Sequence, residues 1–223
     1  MKKASAIPAA DATAPKPRGR PRSFDREQAL ERAMDVFWSK GFEAASLTDL
    51  TEAMGINPPS LYAAFGDKEG LFMEAVQRYH THSQEGCPYG DLPTAREAVE
   101  SLLTFAATMF TEPGHPRGCM AVMAMMTSST SSPKLQELLF EQRNFAKGKL
   151  RERIQRGVKE GDVPPDADVN ALTNLYSAVL SGLSLQARDG ATRKALLAAV
   201  QAAMQAWPSA HTKPARRKLR AVA

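Results

Sequence analysis

Cysteine and long apolar runs are scarce in this chain of 223 residues. Its two cysteines, Cys87 and Cys119, are too few for a disulfide framework, so we expect a protein of the reducing cytoplasm. No stretch reaches the roughly 18 consecutive apolar residues of a membrane-spanning helix, so no membrane partner is predicted. The opening Met1–Lys3 is followed by prolines rather than by an apolar segment, and does not resemble a signal peptide.

Motifs of the common enzyme classes are missing as well. The sequence contains no glycine-rich phosphate loop, no nucleophile elbow and no paired-carboxylate motif, so neither catalysis nor a cofactor is predicted. The residues that could suggest a metal site are His80, His82, Cys87 and His115. Because His80 and His82 lie two residues apart, a helix would point them to different faces, and we predict no metal site.

Positive charge is concentrated at the two ends of the chain. The whole sequence carries 29 basic and 24 acidic residues, for a net charge of +5. Residues 1–24 have a net charge of +5 and residues 208–223 another +5, which leaves −5 for residues 25–207. An acidic body with two basic tails is typical of proteins that hold a polyanion with flexible arms, although such tails also serve solubility.

Beyond residue 24 the apolar residues follow the 3.6-residue period of α-helices, and no segment is a convincing strand. We therefore predict an all-α protein with about nine helices. Asp25, Ser46, Asn57 and Asp67 are the capping residues that precede the first four helices. The other five are predicted within 94–111, 117–128, 133–161, 167–188 and 191–207, after a break at 86–90.

The second and third predicted helices are short and are joined by Gly55-Ile56-Asn57, directly before Pro58-Pro59. Their length and turn are typical of a helix-turn-helix, in which the first helix braces against the DNA backbone and the second enters the major groove. Residues 26–72 resemble the DNA-binding region of the TetR family of transcriptional regulators. The resemblance is carried by Ala29, Ala33, Phe37, Gly41, Phe42, Ser46-Leu47-Thr48, Ala53-Met54-Gly55-Ile56, Ser60-Leu61-Tyr62-Ala63-Ala64-Phe65 and Asp67-Lys68-Glu69-Gly70-Leu71.

The resemblance divides the chain into four parts. These are a basic arm at 1–24, which we expect to be disordered when free, a DNA-binding domain at 25–79, an effector-binding and dimerisation domain at 80–207 and a basic tail at 208–223. Because one short helix covers too few base pairs, the resemblance implies a homodimer on a palindromic double-stranded DNA operator. It implies a ligand-responsive repressor that releases this operator on binding a small apolar or electrophilic effector. The alternative is a constitutive architectural DNA-binding protein that relies on its arms.

The predicted DNA contacts lie on and beside the two short helices. Ser60 and Tyr62 carry hydroxyls that can reach phosphates or base edges, although Tyr62 could instead be a packing residue. By resemblance, Thr48 and Lys68 meet phosphates near helix N-termini. The complete predicted set is Ser46, Thr48, Pro59, Ser60, Tyr62 and Lys68. Residues 58–65 contain no Arg, Asn or Gln, so bidentate base readout is absent from this helix.

A basic run at residues 16–22 precedes the helices. Its core, Arg18-Gly19-Arg20-Pro21, resembles the AT-hook, a short extended segment that lies in the narrow A·T minor groove. We predict DNA contacts by Arg18, Arg20 and Arg22, because arginines favour the negative potential of a narrow groove. The alternative is a phosphate-binding tail without groove preference.

The last two predicted helices form the dimer interface if the resemblance holds. The residues expected there are Leu175, Val179, Gly182, Leu183, Val200 and Met204. The alternative is that these side chains form only the core of the monomer.

An effector pocket is expected between the helices of residues 94–176. Its candidate lining is Phe105, Met109, Phe110, Cys119, Met120, Met123, Phe140, Phe145 and Tyr176. Few ionisable groups lie on this face, so an uncharged apolar ligand is favoured. Methionines at helical spacing also occur as plain core.

Cys119 is a candidate redox or electrophile sensor. It lies near a predicted helix N-terminus and beside Arg117, both of which lower the pKa of a thiol. Some TetR-type regulators with a cysteine at a comparable helix start sense oxidants or electrophiles. The alternative is a buried, inert cysteine.

Overall fold

The computed structural model describes residues 24–85, 92–127 and 133–208. Within these ranges it contains nine α-helices and no strand, which confirms the predicted fold class. The helices are α1 (Arg26–Ala44), α2 (Leu47–Met54), α3 (Pro58–Phe65), α4 (Lys68–Glu85), α5 (Ala95–Met109), α6 (Met120–Thr127), α7 (Pro133–Glu160), α8 (Val169–Arg188) and α9 (Arg193–Met204). The predictions for Arg18, Arg20, Arg22 and Cys87 fall outside the described residues.

Local hydrogen bonds explain where the first helices begin. The Asp25 carboxylate accepts from the N–H groups of Glu27 and Gln28, at 2.9 and 3.1 Å, and α1 follows. Ser46 and Asp49 form a reciprocal capping box at the start of α2. The side chain of Asn57 accepts from the Ser60 N–H at 2.9 Å and caps α3. These side chains satisfy backbone donors that a helix N-terminus leaves without partners.

The buried side chains form two hydrophobic cores. The first core unites α1 to α4 and includes the edge-to-face pair Phe37 and Phe72, whose ring centroids are 5.0 Å apart. The second core unites α5, the C-terminal half of α7, α8 and α9, and contains Tyr176 and Trp207. Each fully buried large apolar side chain contributes about 1.5–3 kcal/mol of transfer free energy.

The two cores meet around α6. Met120 of α6 and Leu135 and Leu139 of α7 pack into the first core, although they follow α5 in the chain. Trp38 of α1 lies edge-to-face against Tyr79 and stacks on His115, with ring centroids 4.9 and 4.8 Å apart. The helix-turn-helix end is therefore packed directly against the rest of the protein.

Candidate DNA interface

The helix-turn-helix consists of α2 and α3, which are held from behind by the first core. Leu50, Met54, Leu61 and Phe65 are fully or almost fully buried. On the outside, Thr48 and Pro59 are exposed, Ser60 is half-buried and Tyr62 is 47% exposed. Buried apolar residues thus fix the two helices while their outer side chains stay accessible to a partner.

Ser46 combines a predicted DNA contact with a capping role. Its hydroxyl accepts from the Asp49 N–H at 3.0 Å and donates to Asp49 Oδ2 at 2.8 Å. Lys40 binds the same carboxylate at 2.6 Å. The Lys40 hydrogen bond, followed by those from Ser46, holds the pKa of Asp49 well below its usual range. The carboxylate thus stays charged at the start of α2, where the helix dipole favours it.

Lys68 lies at the first position of α4, close to α1. Its ammonium group is 3.4 Å from the Glu43 carbonyl oxygen and 4.6 Å from the centre of the Phe42 ring. Burial lowers the pKa of Lys68, and the charge of Glu43 opposes this shift. The α3–α4 connection is tight, because a Cβ on Gly70 would stand 2.5 Å from the Phe65 carbonyl oxygen. Only glycine therefore fits at position 70, three residues after Asp67.

Most cations of the helix-turn-helix domain are paired within the domain. Residues 25–79 contain five basic and ten acidic residues. Arg26 pairs with Glu74 at 2.6 Å, and Arg78 bridges Glu27 and Glu31 at 3.0 and 2.8 Å. The α3 segment itself carries no charged side chain. Electrostatic attraction to DNA would thus have to come largely from residues outside this domain.

Comparison with known proteins settles the family. Residues 29–75 match the sequence model described as "Bacterial regulatory proteins, tetR family", and residues 95–203 match "Tetracyclin repressor-like, C-terminal domain". The chain belongs to the TetR family. It is 33% identical to the HTH-type transcriptional repressor ComR of Escherichia coli K12 over 196 residues, which cover 86% of this chain and 93% of that protein.

Further TetR relatives agree with this assignment. The HTH-type transcriptional repressor BdcR of the same organism is 32% identical over 192 residues, covering 84% of this chain and 91% of that protein. A solved structure of the TetR family regulator CifR, a cysteine mutant complexed with 26-bp double-strand operator DNA, is 47% identical. It superposes with a TM-score of 0.82, covering 85% of this chain and all of that chain. The predicted DNA-binding transcriptional regulator is confirmed.

The predicted effector-pocket residues of this TetR protein are spread over both cores. Met120 belongs to the first core, whereas Met109, Phe110, Cys119 and Tyr176 belong to the second. Met123 is buried and Phe105 is half-buried. The expectation that Phe140 and Phe145 line an enclosed pocket needs correction, because they are 55% and 49% exposed. The buried residues of α7 lie at its two ends, so its middle turns carry these rings on the surface.

A polar groove between α7 and α8 was not predicted. It has a volume of about 370 Å³ and is lined by Lys147, Arg151, Asn170, Asn174 and neighbouring residues. None of the candidate pocket residues lies in it. Spaced polar residues on two separate helices give no sequence signal for such a groove.

The predicted dimer residues divide into two groups. Leu183, Val200 and Met204 are fully buried in the second core, so they belong to the monomer itself. Leu175 is exposed, and Val179 and Gly182 are partly exposed. The same side of α8 carries the small residues Ala178 and Ser181, which the sequence also suggests for a close helix contact, and the exposed Leu185, which was not predicted. From Leu175 the chain reaches Leu185 through Ala178 and Ser181 in steps of three, three and four residues, and this helical spacing is the signal that could have found Leu185.

The environment of Cys119 overturns the prediction of a low thiol pKa. Burial raises the pKa of the Cys119 thiol, and this outweighs hydrogen bonds from the Tyr79 hydroxyl and the N–H groups of Val122 and Ala121. The Arg117 guanidinium donates to the Ala191 carbonyl oxygen instead of approaching the sulfur. Desolvation, which sequence spacing does not reveal, therefore decides the protonation state.

The backbone around Cys119 is tightly packed against α8. The Cys119 N–H donates to Ser184 Oγ at 2.8 Å. Gly118 has φ +86°, and a Cβ at this position would stand 2.8 Å from the Ser184 carbonyl oxygen. Cys119 thus lies where α4, α6 and α8 meet, and the preceding Gly118 has no space for a side chain.

No group of three or more metal-ligating side chains occurs among the residues that the structure describes. Over the same residues, no helix is both long and apolar enough to cross a bilayer.

Proposed function

We propose that this protein is a homodimeric transcriptional repressor that binds a palindromic operator through α3 and leaves it when an effector binds. The observation that carries the proposal is the exposed helix-turn-helix on a chain 47% identical to a regulator solved with its operator DNA. Tyr62, Thr48, Pro59 and Ser60 contact the DNA, with Ser46 and Lys68 beside them. The protein acts in the cytoplasm, where operator and effector are both accessible.

The dimer forms through the exposed faces of α8 and α9. Leu175 and Leu185 supply exposed apolar surface on α8, and Ala178 and Gly182 let a second helix approach closely. On α9, Ala195, Ala198 and Ala202 are exposed at helical spacing. Two copies paired there by a two-fold axis present two α3 helices to a palindrome.

The effector acts at Cys119, where α4, α6 and α8 meet, rather than in a single enclosed pocket. Burial raises the pKa of Tyr79 well above its usual value and also raises that of Cys119, so this hydroxyl and this thiol are uncharged at neutral pH. This favours an uncharged electrophile such as a quinone. In a 1,4-addition the Cys119 sulfur bonds a ring carbon, and the thiol proton ends on the quinone oxygen, so no further reactant is needed.

An adduct at Cys119 would disturb the helix-turn-helix domain through Tyr79. The Tyr79 side chain is hydrogen-bonded to the thiol and packs edge-to-face on Trp38 of α1. The thiol is hydrogen-bonded by Tyr79 of α4 and by the N–H groups of Ala121 and Val122 of α6, so we expect the added bulk to displace α4 or α6. The operator-bound arrangement is then disfavoured by a population shift.

Gel-shift titration of the protein's own promoter, with and without a quinone, tests this proposal. The wild type should bind the fragment and release it with quinone, whereas Cys119→Ser should bind and stay bound. Binding of unrelated DNA with equal affinity would instead indicate the architectural alternative. Unchanged wild-type binding in the presence of quinone would remove the electrophile as effector.

The basic arm contributes much of the affinity for DNA. Because α3 carries no cation, Arg18, Arg20 and Arg22 supply phosphate or minor-groove contacts. Deleting residues 1–22 should weaken operator binding by orders of magnitude. It should also reduce the slope of log K against log salt by about 0.9 for each lost phosphate contact. A truncated protein with an unchanged slope contradicts this role.

A further inference from the structure

Arg188, the last residue of α8, binds the end of α1. Its guanidinium donates to the Trp38 carbonyl oxygen at 3.2 Å and to the Ser39 carbonyl oxygen. Gly41 has non-helical backbone angles, so these carbonyls belong to the last regular turn of α1. A helix C-terminus leaves carbonyls without partners and favours a cation, and here α8 supplies both the donors and the charge.

Trp38 is held from three directions at this point. Its side chain is almost fully buried, lies edge-to-face against Tyr79 of α4 and stacks on His115 from the segment before α6. Its carbonyl accepts from Arg188. Rings thus restrain the side chain of Trp38, whereas Arg188 restrains the backbone of α1.

The helix-turn-helix domain moves with α1 as one body. Leu30 and Phe37 of α1 share the first core with Leu50 of α2 and Leu61 of α3. Close packing of these side chains makes independent movement of α3 costly. A change in the position of the C-terminal end of α1 is therefore passed to α3.

The other end of this connection is the proposed dimer face. The exposed Leu185 lies one turn before Arg188 on α8, and Leu175 lies further along the same helix. One rigid helix thus carries both the surface that meets a second copy and the guanidinium that binds α1.

We propose that Arg188 is a positioning residue that sets the distance between the two α3 helices of the dimer, and thereby the operator spacing that the protein accepts. This inference rests on the proposed homodimeric repressor. Arg188 acts through the backbone of Trp38 and Ser39 and not by contact with DNA.

Operators with altered half-site spacing test the inference. Arg188→Ala, Arg188→Lys and the wild type are titrated against the footprinted operator and against versions with one or two base pairs inserted or removed at the centre. Arg193→Ala is the matched control, because Arg193 pairs with Glu112 at 2.9 Å and bonds Thr111 within the C-terminal part of the chain.

The expected result is a change in spacing preference, beyond a loss of affinity. Arg188→Ala should bind the natural operator about tenfold more weakly, the size of effect typical of residues that couple two sites. It should lose less affinity than the wild type when the spacing changes. Arg188→Lys, with a single donor group, should be intermediate, and Arg193→Ala should match the wild type.

Two outcomes overturn the inference. Arg188→Ala could keep the wild-type spacing preference at any affinity, or Arg193→Ala could change the preference equally. Thermal melting monitored by circular dichroism checks that each variant is folded. A wild type that binds no palindromic DNA at all would refute the proposed function itself, which distinguishes the two failures.

Discussion

The hydroxyl of Tyr79 is hydrogen-bonded to the thiol of Cys119, which joins α4 to the start of α6. This bond opposes the desolvation that raises the pKa of the thiol. The cysteine is therefore held protonated at neutral pH, with a donor in place that stabilises its anion. The pKa of this thiol therefore depends on a neighbour 40 residues earlier in the chain.

Removing the Tyr79 hydroxyl should make Cys119 less reactive. In Tyr79→Phe the thiolate loses a donor, so the pKa of Cys119 rises further above its usual value near 8.5. Alkylation at pH 8 should then be slower than in the wild type, because a smaller fraction of the thiol is ionised. Iodoacetamide labelling followed by mass spectrometry of the Cys119 peptide measures the rate independently of Cys87.

The pH dependence of Cys119 labelling shows whether the Tyr79 hydroxyl raises or lowers the pKa of the thiol. A raised thiol pKa means that labelling keeps increasing above pH 9 in the wild type, and the increase should move to still higher pH in Tyr79→Phe. Tyr62→Phe removes an exposed hydroxyl elsewhere and should leave the profile unchanged. Identical profiles for the wild type and Tyr79→Phe would show that the hydrogen bond has no influence on the thiol.

Adjacent residues of α3 should separate DNA contact from folding. Tyr62 is 47% exposed and Leu61 is fully buried. Tyr62→Ala should weaken operator binding about tenfold, the value of one hydrogen bond to a phosphate, with little change in Tm. Leu61→Ala should cost about 2–5 kcal/mol in the free energy of unfolding. Anisotropy titration and thermal melting give the two quantities; a Tyr62→Ala variant with full operator affinity would make the tyrosine a surface packing residue.

A charge on the exposed side of α8 should abolish the dimer. Leu175→Glu combined with Leu185→Glu would bury uncompensated carboxylates, at a cost of about 3–5 kcal/mol each, or more than 100-fold in dimer affinity for either one. Sedimentation velocity should give a monomer. Phe140→Ser, which removes an exposed aromatic ring from α7, should leave the dimer intact. A dimeric double variant would place the interface elsewhere.

Local signals in the sequence predicted much of the fold. The caps Asp25, Ser46 and Asn57 are strong because each side chain satisfies donors only two or three residues away. The turn at Gly55 and the double proline Pro58-Pro59 are also local signals, and they predict the helix-turn-helix. Interactions of this range are visible in a single sequence.

Long-range packing explains what the sequence did not reveal. From the sequence, Phe140 and Phe145 were predicted to line an enclosed pocket, but they lie on the exposed surface of the middle of α7. Leu183 and Leu185 are equally apolar, and only the contacts of α8 with α5 and α9 decide which of them is buried. The pKa of Cys119 depends on burial and on Tyr79, and neither is encoded near Cys119.

Methylation protection of the footprinted operator tests whether paired α3 helices enter the major groove, because guanine N7 lies in that groove. Two inserted α3 helices predict two protected clusters about one helical turn, or 10 base pairs, apart, related by the symmetry of the palindrome. Both clusters should weaken together in Tyr62→Ala. An operator bound with every guanine N7 still reactive, or one protected continuously without symmetry, would contradict entry of paired α3 helices into the major groove.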